Sequence, residues 1–329
     1  MSSPMTELLA QGTTPPAKPA PAKPQAPPTT AANPAQGPTQ SSDSSPTPLE
    51  LTEENFEETL KKAEAGDVQA QFAIGLAYDE GELVDENVDE ALKWYSLAVG
   101  QGHADAMACL GALIQSGVLA PENQGEAIKL YKQAADKGSE LGLYYLGLAY
   151  DLGYEVPEDK AQAVNYYKKA VVNGDPDVQA ALGLALYYGG PNLPANKVEA
   201  VKWLRLAAGQ AHGQALYVLG NCYFNGEGVP EDKTLAVTFY RLAADLEEVE
   251  AQFELGQAYL NGQGITQDQE EGYWWIELAA EQGLLEAQDF LADLEALEAE
   301  AAAPPAVSPP NEAKAPPEAK EAAKPKEAK

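Results

Sequence analysis

A glycine preceded by Leu, or by Ile in the first copy, stands at Gly75, Gly111, Gly147, Gly183, Gly220 and Gly256. The intervals are 36, 36, 36, 37 and 36 residues. A fixed period in this range leaves a chain few choices. One copy is too short to bury a hydrophobic face by itself, so successive copies must stack on one another. The period predicts an all-α solenoid of six helix–turn–helix repeats, each with a first helix A and a second helix B.

Within helix A an aromatic or aliphatic residue follows each glycine by three positions: Tyr78, Ile114, Tyr150, Leu186, Tyr223 and Tyr259. With the residue before the glycine this gives one apolar helical face. A mid-helix Gly costs about 1 kcal/mol relative to Ala, so six in register need a shared cause. Close approach of helix B is the simplest one. A second Gly six residues later (Gly81, Gly117, Gly153, Gly189, Gly226, Gly262) is suited to the left-handed residue that ends a helix. Pro121, Pro157, Pro194 and Pro230 in the following loops discourage continuation.

Helix B is predicted to open on Asn87, Asn123, Asp159, Asn196, Asp232 and Asp268. Glu90, Glu126, Gln162, Glu199 and Glu271 follow their caps by three, a capping-box spacing that Leu235 breaks in the fifth copy. The B core alternates small and large: Ala91/Trp94/Ala98, Ala127/Leu130/Ala134, Ala163/Tyr166/Ala170, Ala200/Trp203/Ala207, Ala236/Phe239/Ala243 and Gly272/Trp275/Ala279. These positions share one stripe. Gly102, Gly138, Gly174 and Gly283 end B helices, and Ala211 and Glu247 replace them in copies four and five, where looser turns are expected.

The pattern Ala-Gln-x-x-Leu-Gly-x-x-Tyr-x-x-Gly-x-Gly-Val, followed by Ala-x-x-Trp-Tyr-x-x-Ala-Ala-x-x-Gly, resembles the Sel-one-like repeat, a relative of the tetratricopeptide repeat. Copies five and six carry it best, as in Leu219-Gly220-Asn221-Cys222-Tyr223-Phe224-Asn225-Gly226, and copy four departs most at Gly190-Pro191. The resemblance covers roughly residues 60–295. It implies a right-handed α/α superhelix that acts as a non-enzymatic scaffold for protein–protein interaction.

The flanks read differently. Residues 1–50 are rich in Pro and Ala, with Lys18-Pro19 and Lys23-Pro24 in repeated Ala-Pro units, and residues 301–329 mix Ala, Pro, Lys and Glu. Such composition does not bury enough apolar area to offset chain entropy, so both are expected to be disordered. The run Met5–Ala10 is read as an ordinary N-terminus rather than a docking motif. Residues 51–300 are expected to form the solenoid: a cap at 51–66 opened by Thr52, six repeats at 67–283, and a closing helix at 284–300. Phe56, Leu60 and Ala63 make the first cap's apolar stripe, and Gly66 ends it in register with Gly102.

The formal charge is −30; the first 50 residues carry −1 and the last 29 carry +1, so the solenoid holds nearly all of it. Nucleic-acid binding depends on Lys and Arg neutralising phosphates, and this field argues against it. It permits a basic partner, although acidity also keeps a solenoid soluble. A monomer is expected. No apolar run approaches the ~18 residues of a membrane span, and no basic start precedes a short apolar core of the signal-peptide type. A cytoplasmic location is expected, and the Ala/Pro-rich flanks have a bacterial cast.

Cys109 and Cys222 lie three repeats apart, too far for a bridge between Cα atoms within ~7 Å. His103 and His212 share one repeat position, held elsewhere by Asp67, Ser139, Asp175 and Glu248, so they read as helix-start residues. Gly226-x-Gly228 and Gly262-x-Gly264 follow helices, with no Lys-Ser/Thr after them, and do not read as phosphate loops. The acidic Asp85–Glu90 stretch lacks the spacing of a calcium loop. No cofactor, metal or catalytic set is expected. The alternatives to an intracellular adaptor are a bacterial effector exported without a cleavable signal and, more remotely, an enzyme of the penicillin-binding or β-lactamase kind.

By analogy with tetratricopeptide repeats, helix A lines the concave face, with exposed positions one and four or five residues after the packing glycine. In copies four to six these are Leu184/Tyr187/Tyr188, Asn221/Phe224/Asn225 and Gln257/Leu260/Asn261. Amides pair with both donors and acceptors of a peptide backbone, and aromatic rings give contact area at low entropic cost. The candidate partner-binding residues are therefore Tyr187, Asn221 and Phe224, flanked by Tyr188, Asn225, Gln257 and Asn261.

Overall fold

A computed structural model describes residues 51–81, 83–117 and 125–302. The terminal segments, Pro121 and Asn123 lie outside these, as do Met5–Ala10. The described chain is all-α apart from one isolated bridge between Gly190 and Leu193. A short helix α1 (Phe56–Glu64) precedes six A–B pairs. They are α2 (Val68–Glu80) with α3 (Val88–Gly100), α4 (Ala104–Gln115) with α5 (Glu126–Asp136), and α6 (Glu140–Leu152) with α7 (Lys160–Ala170). Then come α8 (Pro176–Tyr188) with α9 (Lys197–Ala208), α10 (Gly213–Asn225) with α11 (Lys233–Asp245), and α12 (Val249–Asn261) with α13 (Gln269–Glu281). Helix α14 (Leu285–Ala302) follows.

The packing glycines have the predicted cause. A Cβ on Gly147 would lie 2.5 Å from the Tyr167 ring, and one on Gly75 or Gly220 would lie 2.6 Å from Tyr95 or Tyr240. On Gly183 it would meet Leu204 at 2.8 Å, and on Gly256 it would meet Ile276 at 2.6 Å. The residue that seats in each glycine notch is thus one later than the large residue of the predicted B stripe. Tyr95, Tyr131, Tyr167, Leu204, Tyr240 and Ile276 are all fully buried, whereas Tyr166 and Trp203 are only half-buried. Spacings of three and four both fall on the core side of a helix, and the notch selects the second.

Five of the predicted B caps accept a bond from the N–H three residues on, for example Asp232 from Leu235 at 3.0 Å and Asp268 from Glu271 at 3.1 Å. The reciprocal arm of the capping box is not made. The cap's own N–H instead donates to a carbonyl of helix A: Asn87 to Tyr78 at 2.8 Å, Asp159 to Tyr150 at 2.8 Å, Asp268 to Tyr259 at 3.0 Å. The glutamates are freed for other work, and Glu90 and Glu271 each accept the indole N–H of the Trp four residues on, at 3.1 Å. In the second repeat the helix starts later than predicted, after Gly125, which has a positive φ and offers no side-chain cap. At the N-terminus Thr52 does not cap either. Its N–H donates to Asn55 in a preceding turn, and α1 begins at Phe56.

His103 and His212 are N-caps as predicted, each Nδ1 accepting an N–H at 3.2 Å. The turns at Ala211 and Glu247 are not looser. His212 and Glu248 donate to Ala207 and Ala243 as His103 donates to Ala98, and Ala211 and Glu247 hold φ of 62° and 67° where glycine stands elsewhere. A non-glycine residue there pays a steric penalty. The buried Gln near the start of helix A also has a role: Gln179 donates to Gly174 and accepts from Gln210, tying successive turns together. Gln101 binds Gln71, and Gln282 binds Gln252, in the same way.

Candidate functional site

Two stripes divide each A helix. One carries the packing glycine and is buried against helix B. The other reads Asp177, Ala181, Leu184, Tyr188 in the fourth repeat, at helical spacing, and every one of these is at least partly exposed. Tyr188 is 66 % exposed, and Leu152, its counterpart one repeat earlier, is 69 % exposed. Two successive repeats thus leave a large apolar side chain open at the same position.

The face also has a single sign. Every charged side chain in the six A helices is Asp or Glu, while every Lys and Arg of the repeats lies in a B helix or just after it. Several of these carboxyls are half-buried and pushed above the usual range. Glu254 is raised by burial and then by Glu286 nearby. Glu140 is raised by burial, although Asn173 donates to both its oxygens at 3.0 Å. The phenol of Tyr217 is raised by burial, with Glu254, Glu250 and Tyr188 adding to the shift.

The structure distributes the predicted site residues unequally. Tyr188, Asn225 and Asn261 are exposed at the solvent edge of the open stripe. Asn261 also donates to the carbonyl of Gln257 at 2.9 Å, so it helps finish its own helix. Gln257 is half-buried on the stripe. The three residues placed at the centre are engaged within the fold. Tyr187 donates to Glu227 in the next repeat, and Lys197 sits 4.9 Å from its ring centroid. Asn221 accepts the Tyr240 hydroxyl at 2.7 Å. Phe224 is half-buried, 6.2 Å from Tyr240, with Lys233 at 4.8 Å over the ring.

For Tyr187 and Phe224 the cause is the position four after the glycine, which points toward the partner helix; Asn221, one after the glycine, is held by the Tyr240 hydroxyl instead. At the position four after the glycine Asp79 accepts from Tyr95 at 2.9 Å, Gln115 from Tyr131 at 2.7 Å, and Asp151 from Tyr167 at 3.3 Å. Sequence reasoning missed Tyr217, Glu250 and Glu254. A stripe drawn two, three and six residues before each glycine, as well as after it, would have included them.

Both thiols are buried and free, pushed up to about 12, chiefly by desolvation. A neutral, enclosed thiol is a poor nucleophile. The second glycine of each Gly-x-Gly stretch serves packing: Gly228 has a φ of +74°, and a Cβ there would lie 2.4 Å from the Lys197 carbonyl. Among the described residues no cluster of His, Cys, Asp and Glu is arranged to hold a metal, and no helix is long and apolar enough to cross a membrane.

Among curated proteins none matches the chain. Solved structures do. The chain is similar to c5321 of uropathogenic Escherichia coli, described as a protective antigen displaying an SLR fold, at 31 % identity and a TM-score of 0.62. That match covers 75 % of this chain but only 52 % of the other, so the chain spans about half of that protein's length. A Sel1 repeat protein from Oxalobacter formigenes is 28 % identical at a TM-score of 0.59, with 72 % of this chain and 69 % of that one covered. The Sel1 repeat model matches residues 68–103, 104–139, 141–175, 176–212, 213–247 and 249–284. Repeats of this kind generally mediate protein–protein interaction. With six matched repeats covering more than half of its length, the chain belongs to the Sel1 repeat family.

Proposed function

We propose that the protein is a non-enzymatic adaptor that holds a protein or peptide partner on the open face of its A helices, from the end of repeat three through repeats four to six. The observation that carries this reading is the pair of exposed apolar side chains, Leu152 and Tyr188, at one repeat position on a face that also carries amides and carboxylates. Tyr188, Asn225, Gln257 and Asn261 make contact in this reading. Tyr187, Asn221 and Phe224 set the shape of the face through their bonds and packing within the fold.

The test uses a partner first captured by the full chain, then purified and titrated. Changing Leu152 and Tyr188 together to Ala leaves helicity intact and weakens binding at least about tenfold, roughly 1.4 kcal/mol. The comparison variant changes Val198 and Leu206, exposed on helix B, to Ala. If that variant loses the partner while the Leu152/Tyr188 variant keeps it, the binding surface is on the B side and this reading is wrong.

A further inference from the structure

The turn from repeat one to repeat two hooks back onto repeat one through two side chains. Gln101 donates to the Gly66 carbonyl at 3.1 Å and to Gln71 at 2.7 Å. His103, the cap of α4, stacks on Phe72 with ring centroids 4.5 Å apart, and its Nε2 lies 3.3 Å from the Gln69 amide oxygen. Its Nδ1 accepts the Ala106 N–H, so in the neutral ring the proton sits on Nε2 and is donated to Gln69. The equivalent caps on Asp67, Ser139 and Asp175 are oxygens, which go on accepting through the range where histidine changes charge. A protonated imidazole has two donors and no acceptor, so the Nδ1–H would then face the Ala106 N–H and the cap would be gone.

The two histidine caps stand in different surroundings. His212 has its Nε2 3.4 Å from Asp177 on α8, and a Cβ on the neighbouring Gly213 would lie 2.5 Å from the Glu248 carboxyl at the start of α12. Protonation there exchanges a cap for ion pairs. Helix α2 instead offers His103 the neutral Gln69 and Phe72. Phe72 attracts a cation, but it stacks on the ring in either form and does not replace the lost acceptor. Asp105, on the same helix as His103, favours the cation, yet its Oδ1 already accepts the Ser139 hydroxyl at 2.6 Å, and Glu140 on α6 shares its field. At the end of α5 the Lys137 ammonium lies 3.5 Å from the place of a Cβ on Gly102, where it opposes a second positive charge. The His103 ring is half-buried beside a cleft of about 340 Å³ that Gln101 and Asp105 also line, so solvent protons reach it. Burial holds it below the ordinary histidine value. The opened joint therefore takes up a proton before the closed one, and stability is lost as the pH falls below about 6.5.

We propose that the seam between repeats one and two is an acid-sensitive joint, in which protonation of His103 removes the cap of α4 and loosens repeat one from repeat two. The core at this seam, around Ala91, Tyr95 and Ala106, is separate from the cluster that runs from Ala163 to Trp275, so the later repeats stay folded when it opens. The joint acts whichever face of the solenoid holds a partner.

The experiment is hydrogen exchange of the full chain, read by mass spectrometry at about pH 7 and about pH 5 after correction for intrinsic exchange rates. Protection at the start of α4 falls at least about tenfold at the lower pH, while the start of α6, capped by Ser139, keeps its protection and the start of α10 loses less. His103→Ser, which supplies an oxygen cap, keeps α4 protected at both values. Nitrogen chemical shifts of the wild-type ring give a second reading that needs no variant: the neutral ring carries its proton on Nε2, and it titrates below the ordinary histidine value. Equal protection of α4 at the two pH values would overturn the proposal. So would an acid loss that persists in His103→Ser, because carboxylates would then be its cause, or a neutral ring protonated on Nδ1, which has no cap to lose. An equal loss at α10 would make the response common to both histidine caps and overturn its assignment to this seam.

Discussion

Repeats one to three and repeats four to six share a backbone plan and differ in how the glycine notch is filled. In the first three the notch takes a tyrosine each time, and its hydroxyl is satisfied four residues after the glycine, by Asp79, Gln115 or Asp151. In the last three it takes Leu204, Tyr240 and Ile276. Leu204 has no hydroxyl, so Tyr187 is released from that duty and reaches Glu227 of the next repeat. Tyr240 faces Phe224, which accepts nothing, and its hydroxyl turns to Asn221 instead. One buried side chain therefore decides what the adjoining A-helix position is free to do. The core follows the same division. A single buried cluster runs from Ala163 to Trp275, while the earlier repeats hold smaller separate clusters around Ile74, Tyr95, Met107 and Tyr131.

The largest test of this difference puts a methyl group into each kind of notch. Gly147→Ala meets the Tyr167 ring, which is rigid and tethered through its hydroxyl, whereas Gly183→Ala meets the more adaptable Leu204. Overpacking costs about 1–3 kcal/mol, and the change from Gly to Ala returns about 1 kcal/mol of helix propensity. Gly147→Ala is expected to destabilise by about 2 kcal/mol net and Gly183→Ala by less than about 1 kcal/mol, read from urea unfolding. Equal costs would mean that ring and leucine notches are equivalent, and the comparison would lose its basis.

The repeat period, the pairing of helices, the packing glycines and most caps were legible in the sequence because each is a local rule repeated six times. Repetition turned weak signals such as Asn87 or His103 into firm ones. What was not legible depends on directions of side chains across a pair. The sequence does not say whether Trp94 or Tyr95 enters the notch, since both fall on the core side. That choice alone determines whether Asp79, Tyr187 or Asn221 is free for a partner. Of the residues the sequence singled out on helix A, Tyr188, Asn225 and Asn261 stand exposed, whereas Tyr187, Asn221 and Phe224 are engaged within the fold.

A smaller effect separates the halves by hydrogen bonding alone. Tyr95→Phe leaves the half-buried Asp79 without its donor, and for this partly solvated bond to a charged group the low end of the range, about 1.5 kcal/mol, is expected. Burial already raises the Asp79 carboxyl, and the Tyr95 hydroxyl opposes that shift. Tyr240→Phe removes a neutral bond to Asn221, for which about 1 kcal/mol is expected. Chemical denaturation of the two variants should rank Tyr95→Phe as the more damaging. The opposite order would place the carboxylate of Asp79 in free contact with water.

The smallest expected effect is a gain, and it belongs to the second half only. The turns from one repeat to the next use Gly66, Gly102, Gly138 and Gly174 at positive φ in the first half, and Ala211 and Glu247 in the second. The hydrogen bonds around Ala211 and Glu247 match those around Gly66, Gly102 and Gly138, so the native conformation is already what a glycine would adopt. Left-handed backbone costs a residue with a Cβ about 1–2 kcal/mol, and the greater freedom of glycine in the unfolded chain takes back about 0.5–1 kcal/mol. Ala211→Gly and Glu247→Gly should each stabilise the protein by roughly 0.5 kcal/mol, and together by about twice that, because the two turns are a full repeat apart and add independently. Ala211 and Glu247 are both exposed, so no packing is lost in exchange. Differential scanning calorimetry of the double variant reads this as a higher melting temperature. The reciprocal change, Gly138→Ala in the first half, where nothing lies within 4 Å of an added Cβ, should lower it by a similar amount for backbone reasons alone. If the double variant melts lower than the parent, the turns at Ala211 and Glu247 hold their shape through contacts of those side chains, and the two halves differ in their joints as well as in their notches.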